Sequence, residues 1–197
     1  MAFVIRWAER LFLTALGLGI IVRVAPQIGQ HPQLLLFLVS ELIGVVLILS
    51  QRRGEATVAP IPVIAAFLCT GASLLVLPQG AQLVPDSVST ALVFGGAAIA
   101  LAAKLSLRRS FGIVPANRGV MRGGVYRVVR HPMYSGYMIG QLGFLLVYFS
   151  LWNLALYAFV WLAFVFRAQE EEKFLSADPT YREYAAQVRS RLLPGVV

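Results

Sequence analysis

Gly124-Val125-Tyr126-Arg127-Val128-Val129-Arg130-His131-Pro132-Met133-Tyr134-Ser135-Gly136-Tyr137 is an unusually polar and aromatic stretch in an apolar chain. It carries two Arg, one His, three Tyr and a Pro, and an apolar run starts inside it. Proline is accepted at the first helical position, where its missing N–H would be unpaired anyway, so a helix is expected to open at Pro132. Its free N–H groups and positive dipole end then point back toward Tyr126–His131, a fit place for an anionic group. Beyond two apolar runs joined at Ser150-Leu151-Trp152-Asn153 lies a second polar cluster, Arg167-Ala168-Gln169-Glu170-Glu171-Glu172-Lys173-Phe174-Leu175. A greasy helical hairpin thus separates the two clusters that hold most of the versatile side chains.

Composition sets the class. The chain has 197 residues, 58% of them hydrophobic and only 13% charged, with a mean hydropathy of +0.75. A soluble domain of this size carries a far larger charged fraction, so an integral membrane protein is expected. The net charge of +8 is dispersed at the ends of apolar runs, which speaks for anionic lipid headgroups and against nucleic acid. The single Cys69 lies in an apolar run, which excludes a disulfide framework or a cysteine metal cluster; no metal site is expected. Arg6 and Arg10 ahead of an apolar run resemble a secretory leader. No small-residue cleavage site follows, so a retained first span is expected.

Six apolar stretches, at about 11–27, 33–50, 59–77, 88–106, 135–149 and 152–167, predict an all-α polytopic transmembrane bundle, the last two helices forming a hairpin. Of the 17 Lys and Arg residues, all but Arg23 fall on or at the boundary of one side. That bias predicts six crossings with both termini and both polar clusters cytoplasmic. Residues 1–104 are expected to form a scaffold governing substrate access, and 105–197 the functional core. Arg23 and Glu41, charged inside the first two spans, are costly unless paired, and a mutual ion pair is feasible. Gly44, Gly71, Gly95 and Gly96 favour close helix approach.

The segment 106–119 reads as a basic, proline-broken loop, and Gly119, Gly123 and Gly124 allow close backbone approach to a ligand. Arg167 and Glu171, four apart, share a helical face. Glu170 and Glu172 point elsewhere and read as a solvated helix end. Because acidic residues are disfavoured at a helix C-terminus, the helix is expected to continue through Phe174-Leu175. A short amphipathic helix starting at Asp178-Pro179 is expected either to lie on the bilayer or to close over the site. Taken singly, His131, Tyr126 and Tyr134 are as well read as structural or interfacial residues.

Taken together, three patterns carry a resemblance: G-V-Y-x-x-x-R-H-P-M-Y-x-G at 124–136, R-x-x-x-E-E-x-x-L at 167–175, and Y-x-x-Y-x-x-x-V-x-x-R-L-x-P at 181–194. Residues 105–195 resemble the isoprenylcysteine carboxyl methyltransferase family, whose core the phospholipid N-methyltransferases share. The resemblance implies an integral membrane enzyme that moves a methyl group from S-adenosylmethionine to a lipophilic acceptor: a prenylcysteine carboxylate, a lipid amine or a small thiol. It further implies cofactor contacts from Tyr126, His131 and Tyr134, with Pro132 and Met133 lining the same turn. Arg118, Gly119, Val120 and Met121 would give backbone contacts, Glu171 the acidic cofactor ligand, and Arg167 the residue facing the acceptor. A Gln that the family uses upstream in the loop has no match near Pro115–Asn117. The alternative is a non-catalytic, lipid-binding relative.

Overall fold

The computed structural model describes residues 2–29, 34–52, 54–72 and 75–195; the side chain of Arg23 lies outside the described residues, and with it the expected Arg23–Glu41 pair. Among those residues the chain forms seven α-helices: α1 (Ala2–Val24), α2 (Leu34–Leu49), α3 (Pro60–Ala72), α4 (Asp86–Leu107), α5 (Pro132–Val147), α6 (Leu151–Leu175) and α7 (Pro179–Gln187). Two two-residue strands, β1 (Glu55–Ala56) and β2 (Ala116–Asn117), pair antiparallel at the polar end of the bundle. The segments 86–110 and 151–175 are long and apolar enough to cross a bilayer.

Helix ends depart from the apolar runs in three places. α1 begins at Ala2, well before the apolar run, and its first two turns expose Phe3, Val4 and Trp7. α3 has only 13 residues instead of a full span. After it the chain is captured by Asn153, which accepts from the Leu77 amide at 3.1 Å and donates to the Leu77 carbonyl at 2.8 Å. α6 runs on to Leu175 as expected, started by Ser150, whose hydroxyl accepts from the Asn153 amide.

The closest helix pair is α4 with α5, and α6 lies on α3, so the α5–α6 hairpin is held more by its outer neighbours than by its own seam. Small residues make the α4–α5 approach possible. A Cβ on Gly136 would stand 2.6 Å from the Gly96 carbonyl oxygen and from the Ala100 amide nitrogen. Gly95, by contrast, faces open space. The Ser89 hydroxyl adds a 2.8 Å bond to the Gly143 carbonyl. In an apolar solvent such contact and bonding replace the hydrophobic drive between helices.

Among the described residues Glu41 is paired with Lys104. The Lys104 ammonium, 1% exposed, lies 2.8 Å from the Glu41 carboxylate and 3.0 Å from the Ser40 carbonyl, over the Tyr137 ring. Lys104, which reads in sequence as a flanking charge, is therefore buried between α2, α4 and α5. Its stem passes beside Gly44, where a Cβ would stand 3.5 Å from the ammonium.

Candidate functional site

The loop between α4 and α5 is built around a carboxylate from the first helix. Glu9 is 1% exposed and accepts from the backbone amides of Ile113 (2.5 Å) and Val114 (3.1 Å) and from Gln51 Nε2 (3.4 Å). Its second oxygen faces Arg118 at 3.5 Å. A buried charge needs such donors to be tolerated at all. Burial pulls the Arg118 guanidinium below its ordinary pKa, and the Glu9 charge works against that pull. The α2–α3 connection closes the outside of the loop: Arg52 donates to the Arg109 carbonyl, and Thr57 to that of Pro115. Residues 112–121 are thereby fixed as one wall of a cavity.

The opposite wall comes from the start of α5 and the end of α6. α5 opens at Pro132 with His131 as its N-cap residue. The His131 ring stacks on Tyr134 (5.7 Å, 10°), and Tyr134 stacks on Phe164 (5.1 Å, 14°). Glu171 reaches this stack, its carboxylate 3.4 Å from the Tyr134 hydroxyl and 4.0 Å from His131 Nδ1.

Glu172 is not solvated. It turns inward to face His131 Nε2 at 3.1 Å, Arg130 Nε at 3.0 Å and Arg191 Nε at 3.0 Å. The acidic run therefore splits, with Glu171 toward the cavity and Glu172 toward the chain's own cations. A helix turns about 100° per residue, so adjacent acids must diverge.

The C-terminal segment closes the third side of the site. Asp178 caps α7 by accepting from the Thr180 amide at 2.8 Å, and it also accepts from the Asn117 side chain, which holds its carboxyl below the ordinary value. Tyr181 and Tyr184 are buried against Tyr126 and Ala103. The Tyr184 hydroxyl donates to the Tyr126 carbonyl at 2.7 Å, and burial pushes its pKa up to about 12. Burial likewise raises Tyr126 well above the ordinary phenol range, so both phenols stay neutral. After α7 the chain pairs with the turn before α5: Arg130 and His131 donate their amides to the carbonyls of Ser190 and Arg191, both at 2.9 Å.

These walls line a small cleft of about 80 Å³ at the polar end of the bundle. Arg118, Gly119, Val120, Met121, Tyr126, His131, Met133, Tyr134 and Glu171 all line it. Two of the residues expected from sequence do not. Pro132 is buried in the helix start beneath. Arg167, 5% exposed, lies against the Tyr134 ring at 5.2 Å and donates to the Ile113 carbonyl at 2.7 Å. Its Nε has no partner. Sequence reading missed Glu9, Arg130, Tyr181 and Tyr184. For the two tyrosines the signal was the Y-x-x-Y spacing at 181–184; Arg130 stood within the R-H-P run, and Glu9 carried no sequence signal.

Among the described residues no group of three or more His, Cys, Asp or Glu is placed to hold a metal ion. No curated protein and no solved structure gave a significant match to the chain. The family model described as phospholipid methyltransferase matches residues 87–178, a stretch that runs from α4 through the loop, the α5–α6 hairpin and both polar clusters. Residues 87–178 thus match the phospholipid methyltransferase family over just under half of the chain, which supports a membrane methyltransferase in general.

Proposed function

We propose that the protein moves the methyl group of S-adenosylmethionine to a lipophilic acceptor, with the cofactor held in the cleft and the acceptor reaching it from the bilayer. The observation that carries this reading is the convergence on one cleft of the 118–134 segment and Glu171, which the sequence separates by a helical hairpin. The donor set suits such a cofactor. Glu171 offers a carboxylate for an ammonium or a ribose hydroxyl, and His131 and the α5 start suit a carboxylate. The faces of Tyr126 and Tyr134 suit a sulfonium or a purine. When bound, the cofactor supplies an electrophilic methyl carbon on a positive sulfur, which becomes a neutral thioether as the methyl group leaves.

The chain's own task is mostly alignment and exclusion of water. In-line displacement needs little acid–base chemistry but gains heavily from a fixed geometry. The Tyr134 ring, clamped between His131 and Phe164, is a rigid surface for that purpose. α7 shields the same space from solvent. Arg167, buried and with Nε free, is the group proposed to orient the acceptor. It neighbours Cys69, which also lines an apolar groove between α3 and α6 bounded by Leu68, Phe159 and Leu162. That groove supports access from within the bilayer. Six crossings, cytoplasmic termini and a cytoplasmic cleft are part of the same proposal, as is the division into an access scaffold (1–104) and a methyltransferase core (105–197). The acceptor classes are a prenylcysteine-type carboxylate, a lipid amine and a small thiol.

Titration calorimetry of the detergent-purified protein with S-adenosylmethionine tests the reading, and saturable binding is expected. Labelled cofactor presented with total lipid extract and with small thiols then assigns the acceptor. No saturable binding at millimolar cofactor would remove the proposal.

A further inference from the structure

The cation proposed to orient the acceptor is itself tied to the first helix by a single peptide group. Arg167 donates to the Ile113 carbonyl at 2.7 Å. The Val114 amide, the other half of that same peptide, donates to Glu9 at 3.1 Å. A peptide unit is planar and resists twisting, so a rigid plate stands between a carboxylate from α1 and a guanidinium from α6. Its dipole suits both, with the N–H end on the anion and the C=O end on the cation. Hydrogen bonds in such a chain polarise and strengthen one another. The same Glu9 oxygen also accepts from the Ile113 amide at 2.5 Å, so it grips two successive amides and fixes the plate in angle as well as position.

The surroundings offer no substitute for these bonds. Ile113 and Val114 are buried in a cluster with Ala66, against which Ile5, Phe12 and Phe67 pack, and water is kept out. Arg167 is 5% exposed. It is held at one terminal nitrogen, while its Nε has no partner among the described residues. The second Glu9 oxygen is occupied by Arg118 at 3.5 Å and by Gln51 at 3.4 Å. Apolar contacts would anchor a loop equally well, since replacing a buried ion pair by apolar residues of similar volume is often neutral or stabilising. What a carboxylate adds here is a direction for the group on the far side of the peptide.

We infer that Glu9 is a positioning residue for the methyl-transfer step: through the 113–114 peptide it sets the orientation of the Arg167 guanidinium. This rests on the acceptor role proposed for Arg167 and deepens it. It also gives α1, which lies outside the matched residues 87–178, a part in the acceptor step.

The test is a double-variant cycle with Glu9→Gln and Arg167→Ala, alone and together. Glu9→Gln keeps an oxygen for the two amides and removes only the charge. Glu9→Asp, which keeps the charge one methylene short, enters the same cycle as a second probe. The melting temperature is read in detergent, the affinity for S-adenosylmethionine by calorimetry, and turnover with labelled cofactor on total lipid extract and small thiols. Each Glu9 variant should lower kcat about fivefold or more while leaving cofactor affinity within about twofold of wild type. In the Arg167→Ala background the same change should alter kcat by less than about twofold, and its effect on melting should fall to about half or less. A residue that only stabilises the fold would act equally in both backgrounds, and equal effects therefore overturn the inference. Loss of cofactor affinity with kcat unchanged overturns it too. If the wild type turns over no acceptor, it is the methyltransferase reading that fails, and the melting cycle still decides whether Glu9 positions Arg167.

Discussion

The carboxylate of Glu9 accepts the amide proton of Ile113 at 2.5 Å across 104 positions of sequence. One residue of the first helix thus holds the wall of a cleft whose other parts all lie beyond α3. Glu9→Ala would leave the Ile113 and Val114 amides and the Arg118 guanidinium without their partner in a buried place. The expected cost is about 3 kcal/mol, from unsatisfied groups of about 1–3 kcal/mol each. Glu9→Gln should be milder, since an amide oxygen still accepts from backbone N–H. Thermal melts in detergent compare the two, and an alanine variant as stable as wild type would show that the loop is held by other means.

The division of labour between Glu171 and Arg167 is testable by kinetics. Both flank Tyr134, one in the cleft and one behind the ring. Glu171→Ala and His131→Ala should abolish measurable cofactor affinity with the fold intact. Arg167→Ala should leave cofactor affinity near wild type and lower kcat, because the partner proposed for it is the acceptor. Calorimetry and turnover on the same preparations give both numbers. Cofactor affinity lost in Arg167→Ala, or kept in Glu171→Ala, would reverse the assignment.

What was legible in sequence is the chemistry carried by local spacing. Pro132 after His131 announces a helix start, and Arg167 with Glu171 announces a shared face. Neither needs knowledge of a distant partner. Glu9, Lys104 and Glu172 were misjudged or missed for one reason. Each is a charge near the end of an apolar run, where solvation is the default, and only a partner far along the chain makes burial tolerable. The Lys104–Glu41 pair spans 63 positions, and the pairing of Glu172 with His131 spans 41. The capture of Leu77 by Asn153 was hidden in the same way, across 76 positions.

Glu172 ties the C-terminal tail to the His131 turn, so its charge should govern how well that tail is docked. Glu172→Gln removes the charge facing Arg130, His131 and Arg191 while keeping the size. The Arg130 and His131 amides, bonded to Ser190 and Arg191, should then exchange hydrogen faster. Residues 188–192 should exchange faster as well, with the matched helices α4 and α5 unaffected. Hydrogen exchange read by mass spectrometry resolves these segments. Uniform acceleration across the whole chain would instead mean that the bundle, not the tail, depends on Glu172.

Lys104 and Glu41 provide a test of the bundle that is independent of the cleft. Removing one member of a buried ion pair strands the other, which costs about 3–5 kcal/mol, whereas replacing both by apolar residues of similar volume is often near neutral. Lys104→Met should therefore lower the melting temperature sharply. Adding Glu41→Leu to it should recover most of the loss, because Glu41 has only Lys104 as its cationic partner among the described residues. Ser40 still has its own backbone helix to bond, so the double variant leaves no new stranded charge. If the double variant melts no higher than the single one, the pair contributes through the shape of Lys104 beside Gly44 and Tyr137 and not through its charge.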